Sequence, residues 1–244
     1  MMDFQSILTS EGLISLFTLT LLEIVLGIDN VIFISIVSTK LPKEQQKKAR
    51  AIGLSLALIF RVILLFSISW IVSLKDPIFT LDKFQGTGRD LILMAGGLFL
   101  LIKTTIEIRD KILHVETETT AREGRITLKN AIIQIVFLDI IFSFDSILTA
   151  VGLVTNVLLM IIAVVIAMMV MLAFSSFVSD FINKHPTVKM LALAFLLVIG
   201  GVLCAEAIHI HVEKAYIYVA LGFSMLVEGL NMAMRSQAHR KIEK

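Results

Sequence analysis

The stretch LLEIVLGIDN, residues 21–30, decides how the chain is read. It is apolar except at Glu23, Asp29 and Asn30, and it lies inside a run long enough to cross a bilayer. A second stretch, FLDIIFSFDS at residues 137–146, repeats the pattern with Asp139 for Glu23, Ser143 for Gly27, Asp145 for Asp29 and Ser146 for Asn30. An ionised carboxylate at the bilayer centre costs about 2.5 kcal/mol or more. Carboxylates repeated at matching positions of two apolar segments therefore require a compensating charge, and a bound cation supplies it.

The rest of the composition agrees. Of 244 residues, 57% are hydrophobic and only 17% charged, which excludes an ordinary soluble domain. The net charge of +2 is spread over loops rather than gathered into a nucleic-acid-binding surface, so no nucleic-acid partner is expected. The single cysteine, Cys204, lies in an apolar run and forms no internal disulfide, and the absence of a Cys/His cluster argues against soft-metal chemistry. The opening residues lack the basic start and small-residue cleavage pattern of a signal peptide and are expected to belong to the mature protein.

Apolar runs suited to a hydrocarbon core of about 30 Å fall at Leu13–Thr39, Ala51–Leu74, Asp90–Ile108, Thr127–Leu153, Val157–Phe181, Val188–Ala207 and Ala215–Met234. Backbone groups in lipid must be satisfied internally, and runs of this length do not alternate as barrel strands do. An all-α membrane protein of seven transmembrane helices is expected. Between the runs, Lys40–Arg50, Lys75–Arg89 and Arg109–Arg125 read as loops, and Pro186 separates the fifth helix from the sixth. Lys and Arg crowd the first, third and fifth loops and the C-terminal tail, whereas the opposite side carries only Lys75, Lys83, Arg89 and Lys214. The positive excess marks the cytoplasmic side of a plasma (inner) membrane, which places the N-terminus outside and the C-terminus inside.

The motifs divide the chain into a first three-helix repeat (1–108), a cytoplasmic loop (109–126), a second repeat (127–207), and a seventh helix with its basic tail (208–244). Gly96-Gly97 before Glu107 and Gly200-Gly201 before Glu206 echo the same division. Three crossings is an odd number, so the second motif enters the membrane in the opposite sense to the first. Inverted repeats place a binding site near the midplane where their halves meet, as in many secondary transporters.

Glu23 and Asp29 are six residues apart, which on one ideal helix turns them about 120° and separates them by about 9 Å. Either the helix unwinds at Gly27, or the two motif helices cross and each supplies an acid. Asp29 with Asp145 is the preferred central pair, because Asn30 and Ser146 follow them as ligating or orienting groups. Carboxylate, amide and hydroxyl oxygens suit a hard divalent ion such as Mn²⁺, Mg²⁺ or Ca²⁺. An ion's two charges offset two carboxylates, so the remainder are left to protons or to Arg61 inside the second helix, which reads first as a structural counter-ion and second as a gating or proton-coupling part. This excess motivates exchange of the metal against H⁺.

Accessory positions carry two readings each. Glu206 is either a mouth or coupling residue or a solvated helix end, and Glu228 with Asn231, three apart on the seventh helix, either packs that helix or touches the ion. His209 and His211 read as an exposed turn, and Met168, Met169 and Met171 as gap-fillers rather than a thioether site.

LLEIVLGIDN, LDIIFSFDS, HPTVKMLALAFLLVIGG (185–201) and YIYVALGFSMLVEGLN (216–231) resemble the corresponding segments of the TerC family of integral membrane proteins, over nearly the whole chain from Leu16 to Met232. The resemblance implies seven helices built from two inverted three-helix repeats, and export of a divalent metal, with manganese the best-supported substrate and an association with tellurium resistance. It carries the metal-site acids over to Glu23, Asp29, Asp139 and Asp145, with Asn30 and Ser146 beside them. Some relatives are described as aiding membrane-protein assembly, so a scaffold without transport activity is the alternative. No resident cofactor and no enzymatic activity are expected, since the Gly-x-Gly-Asp context of an intramembrane aspartyl protease is absent. The expected partners are the divalent ion and the bilayer, and a homo-oligomer is compatible with them.

Overall fold

A computed structural model describes residues 9–67, 77–81, 84–113, 126–153 and 156–242. Helices α1 (Ser10–Leu26) and α2 (Ile28–Ser38) are followed by α3 (Lys43–Phe66), a hairpin of β1 (Pro77–Leu81) and β2 (Phe84–Thr87), and α4 (Gly88–Leu113). Then come α5 (Leu128–Leu153), α6 (Val157–Lys184), α7 (Pro186–Ala207) and α8 (Lys214–Ile242). Helices α1 and α2 together form one span of 29 residues, giving seven spans among the described residues, six of which are long and apolar enough to cross a membrane by those measures alone. The remaining one, α5, has 26 residues and carries Asp139 and Asp145 within its length.

Local polar groups set where the helices begin. Thr9 Oγ1 accepts from Gly12 N at 3.1 Å and starts α1. At the start of α4, Thr87 N donates to Asp90 Oδ2 (2.9 Å) and Asp90 N to Thr87 Oγ1 (3.2 Å), the reciprocal arrangement of a capping box. Thr127 Oγ1 accepts from Asn130 N at 3.3 Å and Asn156 Oδ1 from Leu158 N at 3.1 Å, which fixes the starts of α5 and α6. Pro186 occupies the first turn of α7, where its missing N–H costs nothing.

Three stretches differ from the sequence reading, one of them the start of the loop expected at Arg109–Arg125, where α4 runs on to Leu113. The loop expected between the second and third spans contains an antiparallel hairpin pairing Pro77 with Thr87 and Leu81 with Phe84. The first basic loop is shorter than expected, because α3 already starts at Lys43, and Arg50 is a buried helical residue rather than a loop cation.

The chain forms two compact units. One contains α1, α2, α3, the hairpin, α5 and α6 as far as Phe181; the other contains α4 from Leu93, α7 and α8. Spans one, two, four and five thus group together, as do spans three, six and seven.

In the first unit α3 packs most extensively on α5, and α2 lies against both. The buried residues of α3 (Ala49, Arg50, Gly53, Leu54, Ala57, Arg61 and Leu65) recur every three or four positions and form one stripe, while Ile59, Phe60, Ile63 and Phe66 are exposed on other faces. In water such apolar faces would be a liability; in a bilayer they meet lipid.

In the second unit α7 packs on α8, with the Phe195 and Tyr218 ring centroids 6.2 Å apart. Helices α4 and α7 approach closely at two glycines: a Cβ placed on Gly97 would lie 2.7 Å from the Gly200 carbonyl oxygen, and one on Gly200 would lie 3.1 Å from that of Gly97. Small residues of this kind let helix backbones meet in lipid, where dispersion rather than hydrophobicity drives association. The sequence singled out these same two glycine pairs only as an echo of the repeat.

Candidate functional site

The first motif is interrupted. Helix α1 ends at Leu26, Gly27 takes φ −95° and ψ 0°, and α2 restarts at Ile28. Its N–H turns to the Ile24 carbonyl at 3.2 Å, a tighter closure than an α-helical bond. These dihedrals are open to any residue; the space is not. A Cβ on Gly27 would come within 2.5 Å of Met171 Sδ and 3.0 Å of the Glu23 carbonyl oxygen. The break places Glu23 at the end of one helix and Asp29 and Asn30 in the first turn of the next. The second motif has no such break: α5 runs uninterrupted through Asp139, Ser143 and Asp145.

Four helices of the first unit converge on Arg61. Its Nη1 donates to Glu23 Oε2 at 2.7 Å, its Nη2 to Asp139 Oδ1 at 3.2 Å, and its Nε to Ser143 Oγ at 2.8 Å. Ser143 Oγ in turn donates to Asp139 Oδ2 at 3.1 Å, and Asn30 Nδ2 donates to Asp139 Oδ1 at 3.2 Å. Arg61 and Asp139 are each 2% exposed and Glu23 and Asn30 3%, so these bonds are made with water excluded. One guanidinium faces two carboxylates, and with all three ionised the cluster keeps one negative charge. Buried charges of this kind persist only when geometry and hydrogen bonding compensate desolvation, and here both do.

The sequence-derived site is therefore partly assembled. Glu23, Asn30 and Asp139 come together, and Arg61 pairs with both acids, filling the Glu23–Asp139 end of the gap expected for an ion. Ser146 is buried on α5 and donates to the Ser143 carbonyl at 3.2 Å. The side chains of Asp29 and Asp145 lie outside the described residues; their backbones sit in the first turn of α2 and within α5. Because α2 packs on α5, the two motif helices do meet. Among the described residues no group of three or more His, Cys, Asp or Glu side chains gathers as a metal site. A small cavity beside Glu23, with room for roughly one water, is lined by Leu19, Leu65, Ile147, Met160, Ala163 and Val164.

The accessory residues belong to the second unit. Glu206 is buried at the end of α7 rather than solvated. Thr187 Oγ1 donates to Glu228 Oε1, tying the start of α7 to α8; Asn231 is half-buried one turn on. Ser143 is the member of the cluster that the sequence reading missed. It registered only as a departure from Gly27, although a hydroxyl one turn from an intramembrane aspartate is the signal that finds it.

The Integral membrane protein TerC family model matches residues 8–243. The chain is 47% identical over 232 residues to a UPF0053 protein of Haemophilus influenzae, covering 95% of this chain and 98% of that one. It is 48% identical over 232 residues to the UPF0053 inner membrane protein YgdQ of Escherichia coli, with 95% and 97% covered. The UPF0053 inner membrane protein YoaE of Escherichia coli is 48% identical over 220 residues, which are 90% of this chain but 42% of that longer protein. No solved structure matches.

Proposed function

Since this chain belongs to the TerC family of integral membrane proteins, we propose that it exports a hard divalent cation, foremost Mn²⁺, from the cytoplasm through a site between its two acidic motifs. The observation that carries this reading is the buried junction of α1, α2, α3 and α5, where Glu23 and Asp139 converge on one guanidinium and Asn30 donates to Asp139, two carboxylates against one fixed cation. A tethered cation already held by two carboxylates is a surrogate for a diffusible one. An arriving metal ion displaces Arg61 from Glu23 and Asp139, with Asp29, Asp145 and Ser146 completing an oxygen-only ligand set. The break at Gly27 lets the two halves of the first span move separately, as discontinuous helices do around midplane sites. Inverted three-helix repeats follow from the three-span offset between the motifs.

The protein resides in the inner membrane, with its N-terminus outside and its C-terminus in the cytoplasm, as the Lys and Arg distribution supports. Return of Arg61 and protons to the vacated carboxylates gives H⁺ exchange, driven by the proton gradient. In proteoliposomes, Asp29→Asn and Asp145→Asn abolish Mn²⁺ flux while the protein stays folded; flux unchanged in both variants defeats the site.

The second reading, a membrane scaffold or assembly factor, is favoured by the hydrogen bonding of the Arg61 cluster, which a permanent brace would also display. Total cellular manganese, measured by elemental mass spectrometry with and without expression, separates the two. A transporter lowers it, and a scaffold leaves it unchanged.

A further inference from the structure

A second buried guanidinium lies about two helical turns from Asn30 along α2. Arg50 is 6% exposed and carries no carboxylate in its hydrogen bonds. Its Nη1 donates to Ser38 Oγ at 3.3 Å and Ser179 Oγ at 3.2 Å, and its Nη2 donates to Ser176 Oγ at 3.3 Å. Among the described residues Arg50 Nε and, one turn before Ser38, Ser35 Oγ are buried with no hydrogen-bond partner. Asp180 attracts Arg50 electrostatically but is itself exposed. The guanidinium therefore links α3 to the end of α2 and to the last turns of α6 through neutral acceptors only, and its polar network is incomplete.

We infer that Arg50 is the cytoplasmic gate of the transport route. The inference rests on the transport reading above and on the orientation set by the neighbouring Lys40, Lys43, Lys47 and Lys48. A cation entering from that side toward Asn30 and Asp139 passes along α2, which is buried from Asn30 through Ser38. A fixed positive charge on that path repels it, as arginines do in pores that exclude cations. Ser38, Ser176 and Ser179 hold the charge in place with bonds that a small separation of α2 from α6 breaks. A half-satisfied buried network is poised to open, because water entering the gap satisfies Arg50 Nε and Ser35 Oγ at once.

The test is sided accessibility of a single cysteine, Ser35→Cys in a Cys204→Ser background, to a membrane-impermeant maleimide in inside-out vesicles and in spheroplasts. Labelling is slow in this parent. Removing the hydroxyl anchors with Ser176→Ala and Ser179→Ala, which keeps the charge, raises the cytoplasmic labelling rate by about tenfold or more, since each variant loses one of the charge-assisted hydrogen bonds of Arg50. Arg50→Gln raises it from the same side, and the rate from the outer side stays unchanged. Unaltered labelling in the serine variants, or an equal rise from both sides as general loosening would give, overturns the gate. Mn²⁺ flux by the unmodified protein is measured in parallel: unaltered labelling with flux intact overturns the gate alone, and absence of flux overturns the transport reading whatever the labelling.

Discussion

At Arg61 three acceptors from two other helices meet one side chain, and the energetics follow from what is left when it is removed. Glu23 and Asp139 would remain buried with no cation between them. Breaking a buried ion pair by deleting one partner costs about 3–5 kcal/mol, far more than the pair is worth against an apolar replacement. Arg61→Gln is therefore expected to lower stability by that amount in detergent-solubilised unfolding. The triple variant Glu23→Gln, Arg61→Gln, Asp139→Asn, which removes every charge, recovers most of the loss; equal instability of both variants would mean that the charges are not what couples these helices. Arg61 was legible as a counter-ion because it is the lone basic residue in the middle of a span. Arg50 was not, because it ends a run of basic residues, KLPKEQQKKAR, and local charge density said loop while helix periodicity from Ala49 to Leu65 buries it. Ser143 was legible only as the residue standing where the first motif has Gly27, and α5 is indeed unbroken there; its placement beside Arg61 reveals a bridging hydroxyl.

Among the elements, the jointed first span is the one whose sequence and geometry correspond most directly. Gly27 is required there by the Met171 side chain rather than by its dihedrals. Gly27→Ala is expected to cost about 1–3 kcal/mol through overpacking, and that penalty largely disappears when measured in a Met171→Ala background. A thermal-unfolding double-mutant cycle gives the coupling, and additive costs would show that the two residues do not press on each other. The spans were legible because runs of some 20 apolar residues admit few alternatives; of their ends only the break at Pro186 was, since polar first and last turns such as those of α3 and α4 lie outside the apolar runs. The β1–β2 hairpin was not, since PIFTL opens with a proline and lacks a two-residue turn signature, and its strands are only five and four residues long.

For the whole molecule the decisive quantity is the side on which charge lies. If Lys and Arg set the topology, Ile78→Cys in β1, which is exposed, reacts with an impermeant thiol reagent added to intact cells carrying Cys204→Ser. Glu44→Cys, exposed in the first turn of α3, reacts only in inverted vesicles. The reverse pattern would invert the orientation and move Arg50 to the outer side. The repeat division visible in the chain is not the division visible in space, because contacts group spans one, two, four and five apart from three, six and seven. A boundary in space follows packing, and the glycines at 97 and 200 hold together helices that the repeat reading would assign to different copies. The two motif spans also differ in stiffness: one has a joint at Gly27 and the other is a continuous rod cross-linked by Ser143. Bending then concentrates in the first span while α5 serves as its fixed bearing, so the two motifs, alike in sequence, act as a hinge and its post rather than as two equal arms.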